Sequence, residues 1–259
     1  MIKDLANLLI SLGIKKHDSI FVHSDLSNFK SLNLDFWSLN NIIFDTILEI
    51  VGNEGAILAP TFTYDNFHKK KIFDNKKTFS ETGIFSELVR TKKNSLRSNH
   101  PIFSISSYGE KSELFVRNNS LNSTGIGTPF DRMFHFNAKI LHINIELVTK
   151  CTYLHYIEEK CSVPYRYSKY FNYEIINEQK KKITLEYENY VRMTEFYKFP
   201  KQSKYIQNDL IKNKVMKINK LEKSYFTMVH STQLNNFFSR KIKKNPFYIY
   251  GKKLNVING

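Results

Sequence analysis

Cysteine, proline and glycine are all scarce in this chain of 259 residues, which has two, six and nine of them. Cys151 and Cys161 lie too close together, on one expected helix, to make a disulfide framework, and they do not suit a zinc site. No apolar stretch approaches the roughly 20 residues that cross a bilayer. The opening MIKDLANLLISLGIKK is interrupted by Asn7 and Ser11, and no small-residue cleavage site follows it. It reads as an amphipathic helix rather than a secretion signal. The most glycine-rich stretch, STGIGTPFDR at 123–132, lacks the spacing of a Walker loop or a dinucleotide fingerprint. There is no Gly-x-Ser-x-Gly elbow, no catalytic-cysteine context, and no His-x-x-x-His or carboxylate cluster among the eight histidines. These absences point to a soluble cytoplasmic protein without a metal or a covalent nucleophile.

Acidic residues are also few. Against 39 lysines and arginines there are 24 aspartates and glutamates, a formal charge of +15. Such a surface attracts polyanions: nucleic acid, phosphorylated cofactors or phosphorylated substrates. The lysine clusters are short and no nucleic-acid-binding module is recognisable, so nucleic acid is not expected as a partner. Richness in Asn, Lys, Ile and Phe, as AT-rich coding gives, accounts for part of the excess.

With 41% hydrophobic residues there is enough apolar material for one large domain. Ile2, Leu5, Leu8, Leu9 and Leu12 keep helical spacing up to Gly13. Residues 19–23 read as a buried strand running into the hydroxyl-rich Ser24-Asp25-Leu26-Ser27. A strand that feeds a helix start in this way presents free amides to a phosphate. A helix is expected over 35–51 with Gly52 as its C-cap, and a strand over 55–60 ending in Thr61-Phe62-Thr63. The polar, basic segment 64–79 reads as a loop, followed by a helix over 82–91 and strands over 102–106 and 138–145. Strand and helix alternate at least four times by residue 161, which argues an α/β layered sheet with functional loops at strand ends. Beyond Pro164 regularity falls away. Aromatic strand-like pieces at 170–176, 183–190 and 216–230 alternate there with helices near 202–212 and 232–243. No internal repeat is present.

The segment CTYLHYIEEKC at 151–161 carries the clearest chemistry. Leu154, Ile157 and Cys161 share one helical stripe, and Thr152 stands where an N-cap belongs. Glu158 and Glu159 follow His155 at i+3 and i+4, so either carboxylate can reach the imidazole. On the helical wheel Glu158 leans toward the buried stripe and Glu159 toward water. A carboxylate beside a histidine orients one ring nitrogen and raises the basicity of the other. A solvated acidic pair near a helix start is the plainer reading of the same residues.

Five ordered segments resemble the aminoglycoside 3-N-acetyltransferase family, over about residues 10–170. Val22-His23-Ser24-Asp25-Leu26-Ser27 is similar to its Val-His-x-Ser-Leu-Ser. Ala59-Pro60-Thr61-Phe62-Thr63 is similar to its Met-Pro-Thr-Phe-Thr, and Arg97-Ser98-Asn99-His100-Pro101 to its Arg-Ser-x-His-Pro. Gly127-Thr128-Pro129-Phe130 stands for its Gly-x-x-Ser-Pro. Thr152-Tyr153-Leu154-His155-Tyr156-Ile157-Glu158 matches its Thr-x-x-His-x-x-Glu. Asn144 departs from the pattern, near a position where members commonly carry glycine. The resemblance implies a three-layer α/β/α sandwich around a mixed sheet. The motifs lie in a core over 10–170 of one 1–259 domain, with an irregular, aromatic-rich extension over 171–259. It also implies direct acyl transfer from an acyl-CoA such as acetyl-CoA to an amine, without an acyl-enzyme and without a metal. His155 and Glu158 become the catalytic pair. Ser24, Leu26, Ser27, Thr61, Arg97, Ser98, His100 and Ser104 become CoA-binding residues. Thr63, Asp74, Tyr165 and Arg166 become acceptor-binding residues.

The basic charge disfavours a polycationic aminoglycoside and suits an anionic, nucleotide-linked amino sugar. Arg166 would meet its pyrophosphate, while Tyr165 or Tyr167 would stack on a base or sugar. Acetylation of aminoglycosides, conferring antibiotic resistance, is the runner-up. A non-catalytic polyanion-binding protein on the same scaffold is the alternative from another class. A homodimer is compatible with all three.

Overall fold

The computed structural model describes residues 2–256 apart from 28, 30–33, 70, 118, 196, 199–202 and 251–254. The chain opens with α1 (Ile2–Leu12), β1 (Ser19–Ser24), α2 (Phe36–Val51) and β2 (Ala56–Pro60). It continues with α3 (Tyr64–Lys69), β3 (Phe73–Asp74), α4 (Ile84–Thr91), β4 (Leu96–Arg97) and β5 (Ile105–Tyr108). Then come α5 (Ser112–Val116), α6 (Pro129–His135), β6 (Lys139–Ile143), α7 (Leu147–Lys150) and α8 (Tyr153–Lys160). The remainder is β7 (Arg166–Ile176), β8 (Lys182–Arg192), β9 (Tyr197–Lys198), α9 (Ser203–Lys212), β10 (Met216–Leu221), β11 (Ser224–His230), α10 (Ser231–Lys244) and β12 (Asn255–Val256).

Local chemistry sets the first elements. Leu5, Leu8, Leu9 and Leu12 form the buried stripe of α1. Asp35 caps α2 by accepting from the Ser38 amide at 2.9 Å. At its other end Gly52 takes φ 70°, a left-handed conformation that glycine adopts freely, and donates its amide to Leu48.

Seven strands form the central sheet in the order β10-β11-β6-β1-β2-β5-β4. Its middle, β6-β1-β2, is parallel, and antiparallel pairs flank it on both sides, so the sheet is mixed. Side chains alternate across it. Ile20, Val22, Ile57, Leu141 and Ile143 face α1, α2 and α4 in one core. Phe21, Leu58 and Ile140 face α5, α6, α8 and α10 in the other. These are the three layers expected. Among the described residues no helix is long and apolar enough to cross a membrane.

The structure differs from expectation in three places. Segment 64–79 is not all loop: it holds α3 and β3, because Phe73 is buried against Ile102, Tyr173 and Ile175 and pairs its strand with β7. The strand expected over 102–106 starts later, at Ile105, because β5 pairs with both β2 and β4 through Tyr108. The C-terminal part is regular. β10 and β11 extend the central sheet beside β6, and β7–β8 make a long hairpin of a second sheet.

Candidate active site

The parallel strands end at one edge of the sheet, and α8 sits above it. A short connection from β6 through α7 delivers the chain to Cys151 and Thr152. Thr152 is not the cap expected of it: its backbone is helical (φ −65°, ψ −22°) and its side chain makes no capping bond. The helix is held by packing instead. Tyr153, Leu154, Tyr156 and Ile157 are buried in the core, and the Tyr156 hydroxyl donates to Asp131 at 2.9 Å. That leaves His155 facing a cavity with 26% of its side chain exposed, while Glu158, one turn on, is 1% exposed.

A buried carboxylate needs partners, and Glu158 has four donors. Oε1 accepts from the hydroxyls of Tyr165 and Tyr250 at 3.0 and 3.1 Å. Oε2 lies 3.0 Å from His155 Nδ1 and 2.8 Å from an Arg166 terminal nitrogen. Burial raises the carboxyl pKa, but Arg166 and then His155 outweigh it and hold Glu158 down to about 2. His155 is lowered to about 4, first by burial and then by the Arg166 charge, with Glu158 opposing both. At neutral pH the pair is therefore an ionised carboxylate and a neutral imidazole.

Arg166 Nη2 also stands 2.8 Å from Nδ1, so the tautomer decides what this triad can do. With Nδ1 protonated, it donates to the carboxylate and leaves the Nε2 lone pair for chemistry. With Nδ1 bare, it accepts from Arg166 and Nε2–H cannot take a proton. The ionised Glu158 favours the first arrangement, since a charge-assisted bond to a carboxylate is the stronger one.

Two cavities meet beside this triad. The first, about 570 Å³, is lined by His155, Glu158, Arg166, Tyr190, Arg192 and Tyr250 among others. The second, about 740 Å³, is lined by Ser24, Leu26 and Ser27 after β1 and by 82–86 at the start of α4. No side chain caps that helix start. Tyr64, Thr149, Lys150 and Thr152 line both cavities and form their common wall. The geometry thus offers a hydroxyl-rich chamber, whose rim also carries Asp25, Glu81, Glu146 and Lys150, beside a chamber lined by the His155 imidazole, Lys150, Arg166 and Arg192.

Of the CoA-binding residues expected from sequence, Ser24, Leu26 and Ser27 do line the second cavity. Thr61, Arg97, Ser98, His100 and Ser104 line neither cavity. They brace the cavity wall from behind. The Arg97 guanidinium donates to the carbonyls of Thr61 and Thr78 at 2.6 and 2.5 Å and to Ser104 Oγ at 3.0 Å. Ser104 Oγ donates to the Thr61 carbonyl, and Thr61 Oγ1 to the Ser104 carbonyl. Ser98 Oγ accepts the Ile105 amide, and His100 Nδ1 accepts the amides of Ile102 and Phe103. Burial drives the His100 pKa down to about 3, so it stays the neutral acceptor this turn needs.

The acceptor-binding set is revised as well. Tyr165 is wholly buried against Phe247 and Tyr250 and cannot stack on a ligand. Arg166 gives one terminal nitrogen to the Tyr190 carbonyl and the other to Glu158, the latter also standing beside His155 Nδ1, which leaves no fork for a phosphate. Thr63 donates its hydroxyl to the Pro101 carbonyl, and Asp74 caps the amides of Lys76 and Lys77; neither lines a cavity. Glu159 does not lean into water. It accepts from Asn122 and Thr124, both at 2.7 Å, and so pins the 122–128 loop. A Cβ on Gly125 would stand 2.1 Å from its Oε1 and 2.8 Å from the Asn122 amide nitrogen, so a larger residue there would have to push those side chains aside. Asn144, which departs from the family pattern, takes φ 54° and bonds Asp25 and Ser224. Asparagine tolerates that left-handed turn, so the strand end keeps its path.

Sequence reasoning missed Tyr250, Arg192 and Lys150. Tyr250 is 92 positions from Glu158, and no local spacing could have joined them.

A family model described as aminoglycoside 3-N-acetyltransferase matches residues 21–243, well beyond the stretch over which the motifs were legible. No curated protein matches the sequence. Among solved structures the chain is similar to AAC-IIIb in binary complex with CoASH, at 20% identity over 98% of each chain, with a TM-score of 0.78. It is similar to the aminoglycoside acetyltransferase AAC(3)-Xa at 17% identity, over 94% of this chain and 92% of that one, with a TM-score of 0.80. It is also similar to the YokD protein from Bacillus subtilis at 18% identity, over 95% and 94%, with a TM-score of 0.78. At such identities the likeness is one of fold.

Proposed function

The chain belongs to the aminoglycoside 3-N-acetyltransferase family and is an acetyl-CoA-dependent N-acetyltransferase, and from that premise we propose that its acceptor is an anionic, nucleotide-linked amino sugar. The observation that carries this reading is the charge of the first cavity. Three cations line it, Lys150, Arg166 and Arg192. The one carboxylate among its described lining residues is Glu158, already bound by four donors. A polycationic acceptor needs free carboxylates, and none is offered among the described residues lining this cavity. The phosphates of a sugar nucleotide gain from the same field. With Arg166 committed to Glu158, Lys150 on the common wall and Arg192 at the end of β8 take the phosphates. Tyr190 or Tyr64 offers a ring face to the sugar or base.

The donor binds in the second cavity, where Ser24, Ser27 and the uncapped start of α4 give hydroxyls and amides to its phosphates. Its thioester reaches the common wall at Thr152, and we assign the Thr152 hydroxyl to stabilising charge on the carbonyl oxygen. The acceptor amine attacks the carbonyl carbon from the first cavity. As the nitrogen–carbon bond forms, that nitrogen becomes acidic and His155 Nε2 takes its proton. The carbon–sulfur bond breaks, the CoA sulfur leaves as thiolate, and the proton passes from His155 to the sulfur. Glu158 keeps Nδ1 protonated throughout and compensates the transient imidazolium. Tyr250 comes from the C-terminal part, so the chain acts as one catalytic unit.

The test is a panel of nucleotide-diphospho-amino sugars set against gentamicin and kanamycin, with acetyl-CoA and thiol release as readout. The proposal expects kcat/KM on one or more sugar nucleotides to exceed that on any aminoglycoside by at least about 100-fold, as steering by like and unlike charge allows. Efficient acetylation of the aminoglycosides, with none of the sugar nucleotides, would falsify it.

A further inference from the structure

Beneath the common wall lies a row of polar side chains that the transfer chemistry does not use. His142 pairs in register with His23 on one side and with Thr227 on the other, so all three point to the same face of the sheet. All are buried: His142 at 0%, Thr227 at 2% and His23 at 6% exposure. Both ring nitrogens of His142, His23 Nε2 and Thr227 Oγ1 have no hydrogen-bond partner. Four orphaned polar atoms in one place call for an occupant, an ion or a buried water. Directly over them, at the α7–α8 joint, sits the buried free thiol of Cys151.

We propose that His23, His142 and Cys151 form a structural site for one divalent transition-metal ion, with zinc the ion that best suits two imidazoles and a thiolate. Their ligand atoms all lie within 4.8 Å of one another. Tetrahedral bonds of about 2.0–2.3 Å would bring such atoms to roughly 3.3–3.8 Å, so the cluster contracts by about 1 Å on binding. The two rings are stacked at 4.9 Å and 5° from parallel. One imidazole therefore turns about its terminal torsion, which is broad, to put both lone pairs on the ion. The Cys151 thiol releases its proton to solvent as the thiolate binds. Both histidines are already neutral, the form that ligates. Cys161 takes no part, being turned toward Ser239.

The ion would tie the ends of β1 and β6 to the joint that carries α8. His23 lines the donor cavity and Cys151 the acceptor cavity, so the tie fixes the distance between the two chambers. No step of acyl transfer passes through it, and the inference stands whichever acceptor is used.

The test uses the full chain, stripped with a chelator under reducing conditions. Zn²⁺ should raise the melting temperature by about 5 °C or more when present well above its Kd. Co²⁺ should bind at one equivalent and develop the near-ultraviolet absorption of a cobalt–thiolate bond. Cys151→Ala, which a buried position accepts as a small apolar residue, should lose the absorption and most of the melting shift. His142→Ala should lose the shift too. A flat Co²⁺ spectrum with no Zn²⁺ effect on melting would overturn the proposal and leave the row to buried water. Wild-type behaviour in both variants would equally overturn it, by placing the ion elsewhere.

Discussion

Replacing Arg166 with alanine separates the two roles this residue can be given. As a phosphate ligand its loss would raise the acceptor KM and leave kcat and stability alone. The structure places it instead in a buried ion pair, with Arg166 and Glu158 side chains 4% and 1% exposed and 2.8 Å apart. Removing one partner of such a pair strands the other charge, at a cost of about 3–5 kcal/mol. At about 2–4 °C per kcal/mol for a chain of this size, melting should fall by at least about 6 °C. Glu158 loses the largest of the charges that hold it down, and His155 loses one of the three influences that lower it, burial and Arg192 remaining. Both pKa values therefore rise, and the acid limb of kcat/KM moves to higher pH. A disoriented base forfeits part of the roughly 10²–10⁴-fold that general-base catalysis supplies, so kcat should drop about 10- to 100-fold. Pairing Arg166→Ala with Glu158→Gln should recover part of the lost stability, since no charge is then stranded. The assays are calorimetry and pH-dependent steady-state kinetics. A raised acceptor KM with unchanged kcat and melting temperature would refute this reading and restore Arg166 to the phosphate.

His155→Ala should abolish turnover while the affinity for CoA, measured by calorimetry, stays within about two-fold, because the imidazole lines the acceptor cavity alone. Acetyl-CoA at about 100 times its Kd should stabilise the protein by about 2.7 kcal/mol in thermal melting, and no shift at millimolar concentration would count against the donor cavity. Gly125→Ala should destabilise by about 1–3 kcal/mol, as its methyl would overlap the Glu159 carboxylate, and equal melting to wild type would show that loop to be looser than described. His100 has its pKa lowered by burial from the ordinary 6.5 to about 3, so the unfolded chain binds protons more readily. Its contribution to stability is complete above pH 6.5 and is lost, at about 1.4 kcal/mol per pH unit, as pH falls toward 3. His100→Asn, which keeps an acceptor for the two amides, should flatten the acid limb of stability in that window.

Much of the layered core was legible in residue order alone. The Leu5–Leu12 stripe, Asp35 and Gly52 around α2, and the buried runs of β1, β2 and β6 follow from periodicity and capping, which are local. The pairing of His155 with Glu158 was legible for the same reason: three residues on a helix put two side chains on one face. Hydrophobicity on the wheel also chose Glu158 over Glu159 correctly, but it could not show what Glu159 holds. That depends on a loop 35 and 37 positions away, at Thr124 and Asn122. The Arg97–His100 motif could be read as ligand-binding or as bracing, because an arginine near carbonyls and an arginine near phosphates look alike in sequence. Only the folded chain, by surrounding it with the carbonyls of Thr61 and Thr78, decided for bracing. Arg166 and Tyr165 do lie at the site, but bonded to Glu158 instead of turned toward a ligand. A buried carboxylate captures whatever donors surround it, and burial is set by tertiary packing. The convergence of Tyr250, Arg166 and Glu158, and the stack of His23 on His142, arise from sheet registration and chain return across the whole fold. No spacing along the sequence encodes either.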